Sequence, residues 1–278
     1  MTEQIPKYRI IVISFFLVFL CVGLIAFKDY GISWDELVSR NNGLLTYKYV
    51  FEGDQELLTY RDRYYGTAFE TLLLMIEKAI GFDDPRGIFL FRHLATFLLF
   101  YASVIFFYFL CKYRFRDWKM GLLGALFLVL SPRIFAHSFY NSKDLAFLFI
   151  FIISVFSLVK YLEKKSFLRA VLHAFICAFL IDTRILGILI PGFTVLFFAF
   201  DLFMDKDEKK AKALITFSVY VVMLVSFTVL FWPVLWISPV RQFITAFKQM
   251  SRFHFWSTVL YLGEYIKAKN LPWHYIPV

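Results

Sequence analysis

Seven apolar runs, each close to bilayer-spanning length, follow one another along this chain: residues 10–27, 87–111, 118–135, 145–159, 168–181, 186–203 and 214–231. A hydrocarbon layer about 30 Å thick takes about 20 apolar residues of helix to cross. Lipid offers no partner to an open backbone amide, so such runs must close their hydrogen bonds within each segment. The expected fold class is therefore all-α, a polytopic transmembrane helix bundle of about seven spans. The composition agrees, with 60% hydrophobic and 21% aromatic residues against about 45–50% apolar for a soluble domain.

The connections between the runs alternate in charge. Lys112, Arg114, Arg116 and Lys119 lie in one, Lys160, Lys164, Lys165 and Arg169 in a second, and Lys206, Lys209, Lys210 and Lys212 in a third. The opposite short connections carry only Arg133 with Lys143, and Arg184. The positive-inside rule then places the amino terminus and the three basic loops in the cytoplasm. The first run follows Lys7 and Arg9 and has no small-residue cleavage site, so it reads as a retained signal anchor. The net charge of +9 comes from these clusters and forms no stripe that would hold nucleic acid. Cys21, Cys111 and Cys177 each fall inside an apolar run without CxxC or Cys/His spacing, which points to small core residues.

One further stretch, residues 64–81, is apolar but carries Glu70, Glu77 and Lys78. If it crossed, every later basic loop would face outward. It is expected instead as an amphipathic helix on the outer interface, within one external loop over residues 28–86. A loop of that length is usually functional or partly helical itself. After Phe231 the chain is rich in Trp, Tyr and Pro, which favour the headgroup region. Residues 232–278 are expected as a second external interfacial segment, ending at "LPWHYIPV" as if before a further span. No nucleotide, zincin or serine-hydrolase motif occurs.

Three external connections hold the informative side chains: "GISWDE", "SPRIFAHSFYNSKD" and "DTRILG". Their candidates are Asp35, Glu36, His137, Lys143, Asp144, Asp182 and Arg184, which loops on one face of a bundle can bring to a single cavity. Each also has a plain structural reading. Ser33 and Glu36 have capping-box spacing with Asp35 in the first turn; Asn141 or Ser142 suits a cap before Asp144. Arg133 and Lys143 can snorkel, and a His at a span end is commonly an interface residue. On the functional reading, neighbouring helix positions point about 100° apart, so Asp35 and Glu36 suit separate roles and not one shared proton. A desolvated carboxylate suits general-base work, and Lys143 or Arg184 suits a phosphate.

The order of these features resembles the GT-C membrane glycosyltransferases. A first span is followed at once by "DYGISWDE", then by a long loop with an interfacial helix, a second external loop closing on "YNSKD", and "TRILGILIP" opening a later span. The branch it resembles is the protein O-mannosyltransferase and aminoarabinose-transferase-like group. That resemblance implies inverting transfer of a sugar from a polyprenyl-phosphate-linked donor to a glycan, lipid or protein acceptor at the external membrane face. It implies catalytic roles for Asp35, with Glu36 beside it, and for Asp144. Lys143, Arg184 and His137 are the matching candidates for holding the carrier phosphate. Some relatives use a divalent metal, such as Mg, Mn or Zn; the external carboxylates would admit one, though no diagnostic ligand spacing is present. The expected location is a bacterial inner membrane, with the active site outside. The rival reading is a multi-pass transporter or flippase for a lipid-linked or anionic solute. Transporters place ionisable residues near the midplane beside broken helices, whereas here charge gathers at span ends. A membrane scaffold would leave the outer carboxylates without a purpose.

Overall fold

A computed structural model describes residues 7–204, 210–252 and 258–275. Lys206 and Lys209 of the third basic loop and the last three residues of "LPWHYIPV" lie outside the described residues. The protein is 81% helical, a polytopic helical bundle. Five segments are long and apolar enough to span a membrane. They are α1 (Lys7–Ala26), α5 (Pro85–Phe115), α8 (Ser142–Glu163), α10 (Leu189–Met204) with the 3₁₀ turn before it, and α11 (Lys210–Phe231).

The run at 118–135 is not one straight helix. It forms α6 (Trp118–Val129) and α7 (Pro132–Tyr140), bent by 68° and counting together as a sixth span at most. Pro132 supplies no backbone N–H and restricts the residue before it, so the helix stops at Leu130 and restarts in a new direction. The expected span at 168–181 is α9 (Phe167–Thr183), whose 17 residues cover about 26 Å and which is not among the five long enough to cross. It runs up the middle of the bundle, packed on α8 and α11. Ala170, Ala174, Cys177 and Ala178 are fully buried along it, and small residues of this kind let neighbouring helices approach closely. His173 of α9 is bonded to Ser157 and Thr194 at 2.7 and 2.9 Å, and its ring stacks between Tyr161 and Tyr220. The three cysteines are free.

A second core, largely aromatic, joins α1, α5, α7 and α8 through Phe19, Phe97, Phe100, Phe139 and Leu145. Tyr30 stacks on Phe139 at 4.4 Å, which ties the start of the first long loop to α7. That loop folds into α2 (Trp34–Tyr47), α3 (Glu56–Thr59) and α4 (Ala68–Ile80). Beyond α11 come α12 (Pro239–Ser251) and a hairpin of β1 (Thr258–Tyr261) and β2 (Glu264–Lys267), an addition to the all-α expectation. Both turn residues, Leu262 and Gly263, have positive φ, the geometry a two-residue hairpin turn demands.

The arrangement of α4 differs from that of a plain interfacial helix. Its acids Glu70 and Glu77 are buried against the bundle, while Leu72, Met75, Ile76 and Ile80 face outward. The inward polar face is held from two sides. Arg92 of α5 donates to both Glu70 and Glu77, and Asp182 at the end of α9 accepts the Ala68 N–H at 2.9 Å. Thr67, at the cap position of α4, is bonded instead to the Thr46 hydroxyl at 2.8 Å. Asp182 therefore satisfies a helix start that its own cap leaves open.

The same junction makes Gly66 indispensable. A Cβ there would lie 1.3 Å from the Asp182 carbonyl oxygen. Gly66→Ala is expected to lift the first loop off α9, a cost at or above the usual overpacking range of about 1–3 kcal/mol. Thermal unfolding in detergent checks it; an unchanged midpoint would show that the loop does not dock as described.

Candidate active site

The three connections holding these candidates converge. Asp35, Glu36, His137, Lys143, Asp144 and Arg184 all line one cavity of about 720 Å³, together with Trp34, Arg61, Asp62, Tyr65, Tyr140, Asn141 and Ser142. Asp182 does not line it and serves the α4 junction instead.

One wall is the first turn of α2. Glu36 at the third helical position accepts the Ser33 backbone N–H at 2.6 Å through one carboxylate oxygen. Its other oxygen meets His93 Nε2 of α5 at 2.9 Å. Both oxygens of this buried carboxylate are thus engaged in fixing the helix start. Asp35, next to it, points away and is exposed, and it forms no hydrogen bond or ion pair with any described residue.

The opposite wall is the α7–α8 corner, organised by Asn141. Its Oδ1 accepts the Asp144 backbone N–H at 3.1 Å, capping α8, and its amide nitrogen donates to Asp144 Oδ2 at 2.8 Å. The same amide lies 2.8 Å from His137 Nδ1, which makes Nδ1 the acceptor and leaves the ring proton on Nε2. Asp144 Oδ1 accepts from Arg184, and this pair is 44% and 41% exposed. Exposed pairs are worth little to stability, so Arg184 can leave Asp144 for a stronger anion. Lys143 stands 4.3 Å above the Tyr65 ring, in an ordinary cation–π position.

Tyr65 is the floor between the walls, and sequence reading missed it along with Arg61 and Asp62. Burial pushes its phenol above the ordinary tyrosine value, Asp62 and Asp35 push the same way, and Arg184 and Arg61 oppose them. Four charged side chains thus act on one ring. The phenol stays protonated and available as a donor.

Beneath both walls lies a buried charge network. Arg92, 1% exposed, bridges Glu70 and Glu77; Arg40 of α2 adds a contact to Glu77 at 2.9 Å; and Ser142 at the start of α8 donates to Glu70 at 2.5 Å. Two cations thus face two carboxylates, as burial of charge requires. The adjacent residues Arg92 and His93 reach the two walls separately, one through Glu70 and Ser142, the other through Glu36.

Glu36 and Asp144 have both oxygens engaged within the protein. Among the described residues no group of three or more His, Cys, Asp or Glu is placed to hold a metal ion.

The family model for oligosaccharyl transferase STT3, N-terminal, matches residues 63–269, well over half of the 278 residues. No curated protein matches the chain, and no solved structure does. The matched region contains His137, Lys143, Asp144, Asp182 and Arg184 and begins after Asp35 and Glu36. It places the chain among membrane glycosyltransferases and does not favour the transporter reading. The match does not single out the mannosyltransferase-like branch. A helical membrane bundle whose polar loops gather at one end, and whose sequence fits this model over most of its length, belongs to the oligosaccharyl transferase STT3 family of the GT-C superfamily.

Proposed function

We propose that the protein transfers a sugar from a polyprenyl-phosphate-linked donor to an acceptor hydroxyl at the external membrane face, with inversion at the anomeric carbon. The observation that carries this reading is the cavity itself, with a carboxylate that has no hydrogen-bond or ion-pair partner among the described residues on one wall and two cations on the other. Asp35 takes the acceptor proton as the acceptor oxygen bonds to the anomeric carbon. The bond from that carbon to the carrier phosphate oxygen breaks on the opposite side, and the carrier leaves as its phosphate. Lys143 and Arg184 meet the charge that develops there, one as a point charge and the other through a planar fork. Asp144 and His137 orient Arg184 and Asn141 around the leaving group.

A nearly wholly apolar groove of about 310 Å³ between α10, α11 and α12 supports the lipid part of the reading. Ile181 and Ile188, which flank the Arg184 segment in sequence, are among its lining residues together with Leu224, Val229 and Phe243. An isoprenoid tail in this groove would leave its phosphate at the Arg184 end. The membrane concerned is a bacterial inner membrane, with the cavity outside.

Membranes holding the full-length protein should release label from a radiolabelled polyprenyl-phosphate sugar into an acceptor. Lys143→Ala should raise the donor KM by about 10–100-fold, the value of a charge-assisted contact. Solute uptake without transfer from any donor would overturn the enzyme reading in favour of transport.

A further inference from the structure

At the end of the bundle opposite the cavity, α5 and α8 enclose a second concavity of about 550 Å³. Its wall is aromatic: Phe106, Phe109 and Tyr113 from successive turns of α5, and Phe156 from α8. Phe106 meets Phe149 edge-on at 5.8 Å, and Tyr113 meets Phe156 edge-on at 6.2 Å. Its rim is basic, formed by Lys112 and Arg116, and among the described residues no acidic side chain lines it. The nearby acid, Glu163, is engaged by Lys160 at 3.0 Å and by the Tyr113 hydroxyl. Lys112 sits 5.8 Å above the Tyr108 ring, and neither rim cation forms an ion pair with a described residue.

Arg116 has a second distinguishing feature. It ends α5 at φ 54° and ψ 27°, the left-handed region that helix ends normally fill with glycine. A residue with a Cβ is strained there. Asp117 follows at once and caps α6 by accepting the Lys119 N–H at 2.9 Å. What Arg116 adds at this corner, and glycine would not, is a guanidinium on the rim of the aromatic groove.

We infer that this concavity binds an anionic phospholipid, its phosphate between Lys112 and Arg116 and an acyl chain along Phe106, Phe109 and Phe156. Arg grips a phosphate through two parallel donors and Lys adds a point charge. A zwitterionic headgroup would bring an ammonium to the same two cations, so the site selects net negative charge. By the positive-inside rule this end faces the cytoplasm, whose leaflet carries acidic lipids that basic pockets between helices recognise. The site is separate from the sugar-transfer cavity, and the inference stands whether or not transfer is observed.

The test uses the full chain in detergent, with native mass spectrometry and thermal unfolding in the presence of phosphatidylglycerol, phosphatidylcholine of the same chains, or inorganic phosphate. Phosphatidylglycerol should be retained preferentially and raise the unfolding midpoint, and neither of the others should. Arg116→Gly removes the charge and relieves the backbone, so the lipid-free midpoint should hold or rise while the preference falls to parity. Lys112→Gln, which leaves the turn untouched, should weaken the preference as well, and Arg114→Gln should not. Equal retention of both lipids by the wild type would overturn the inference, as would an unchanged preference in Lys112→Gln and Arg116→Gly. A midpoint shift from phosphate alone equal to that from phosphatidylglycerol would also overturn it, reassigning the rim to a free anion.

Discussion

Asp35→Asn is expected to lower sugar transfer by about 10²–10⁴-fold, the span that a positioned general base contributes, while membrane insertion and the unfolding midpoint stay at wild-type values. The two halves of this expectation have separate physical sources. Asp35 is exposed and forms no hydrogen bond or ion pair with a described residue, so its carboxylate stabilises nothing that an amide would disrupt. Yet it stands in the same cavity as Lys143 and Arg184, where an amide cannot take up a proton. The informative comparison is Glu36→Gln, one residue on. There the carboxylate accepts the Ser33 N–H and meets His93, so the change should cost stability as well as transfer. Transfer assays and unfolding curves on both variants decide the matter. Full turnover by Asp35→Asn would sink the assignment of the base, and equal loss of stability in both would mean that the first turn of α2 is purely structural.

That contrast also marks how far the sequence reaches. The Ser33–Glu36 spacing announces a capping interaction, and the structure forms the contact from the Ser33 N–H to Glu36. Spacing could not say that His93 takes the second oxygen, because His93 lies 57 positions away on a different helix. The same holds for the spans. Long unbroken apolar runs define α1, α5, α8 and α11 with little ambiguity, since nothing but a helix satisfies the backbone in lipid. The break between α6 and α7 is harder to see, because Ile134 and Phe135 continue the apolar run past Pro132. Its visible signal was the proline.

The cavity was legible as a convergence of loops and illegible in detail. Acidic and basic residues at span ends on one face are a pattern that charge counting finds. Tyr65, Arg61 and Asp62 belong to a loop without periodicity, and they reach the cavity only because Gly66 lets the chain press against Asp182. The buried network has its own signal in the sequence. Arg92 stands inside an otherwise apolar stretch, where a charge demands a counter-charge, and Glu70 and Glu77 are spaced to share one helix face. The acids of α4 answer Arg92 and not the interface.

Arg92→Met should accordingly be the most damaging single change away from the cavity. Arg92 is 1% exposed and is the contact common to Glu70 and Glu77, both nearly as buried. Removing one partner of a buried ion pair leaves an uncompensated charge, a loss of about 3–5 kcal/mol. Glu77 keeps Arg40 at 2.9 Å, but Glu70 keeps only the Ser142 hydroxyl as a hydrogen-bond partner among the described residues, with the charge of Lys143 acting on it from further off, so the cost concentrates at Glu70. The double change Arg92→Met with Glu70→Gln should recover much of the loss, because the stranded charge is then gone. Unfolding midpoints in detergent measure both. The recovery separates two explanations: if the cost were lost packing around a large side chain, the second substitution would add to the damage. Recovery of stability without recovery of transfer would further show that Glu70, through Ser142, sets the position of Lys143 and Asp144 at the start of α8. Such an outcome would link the buried charges to the chemistry above them.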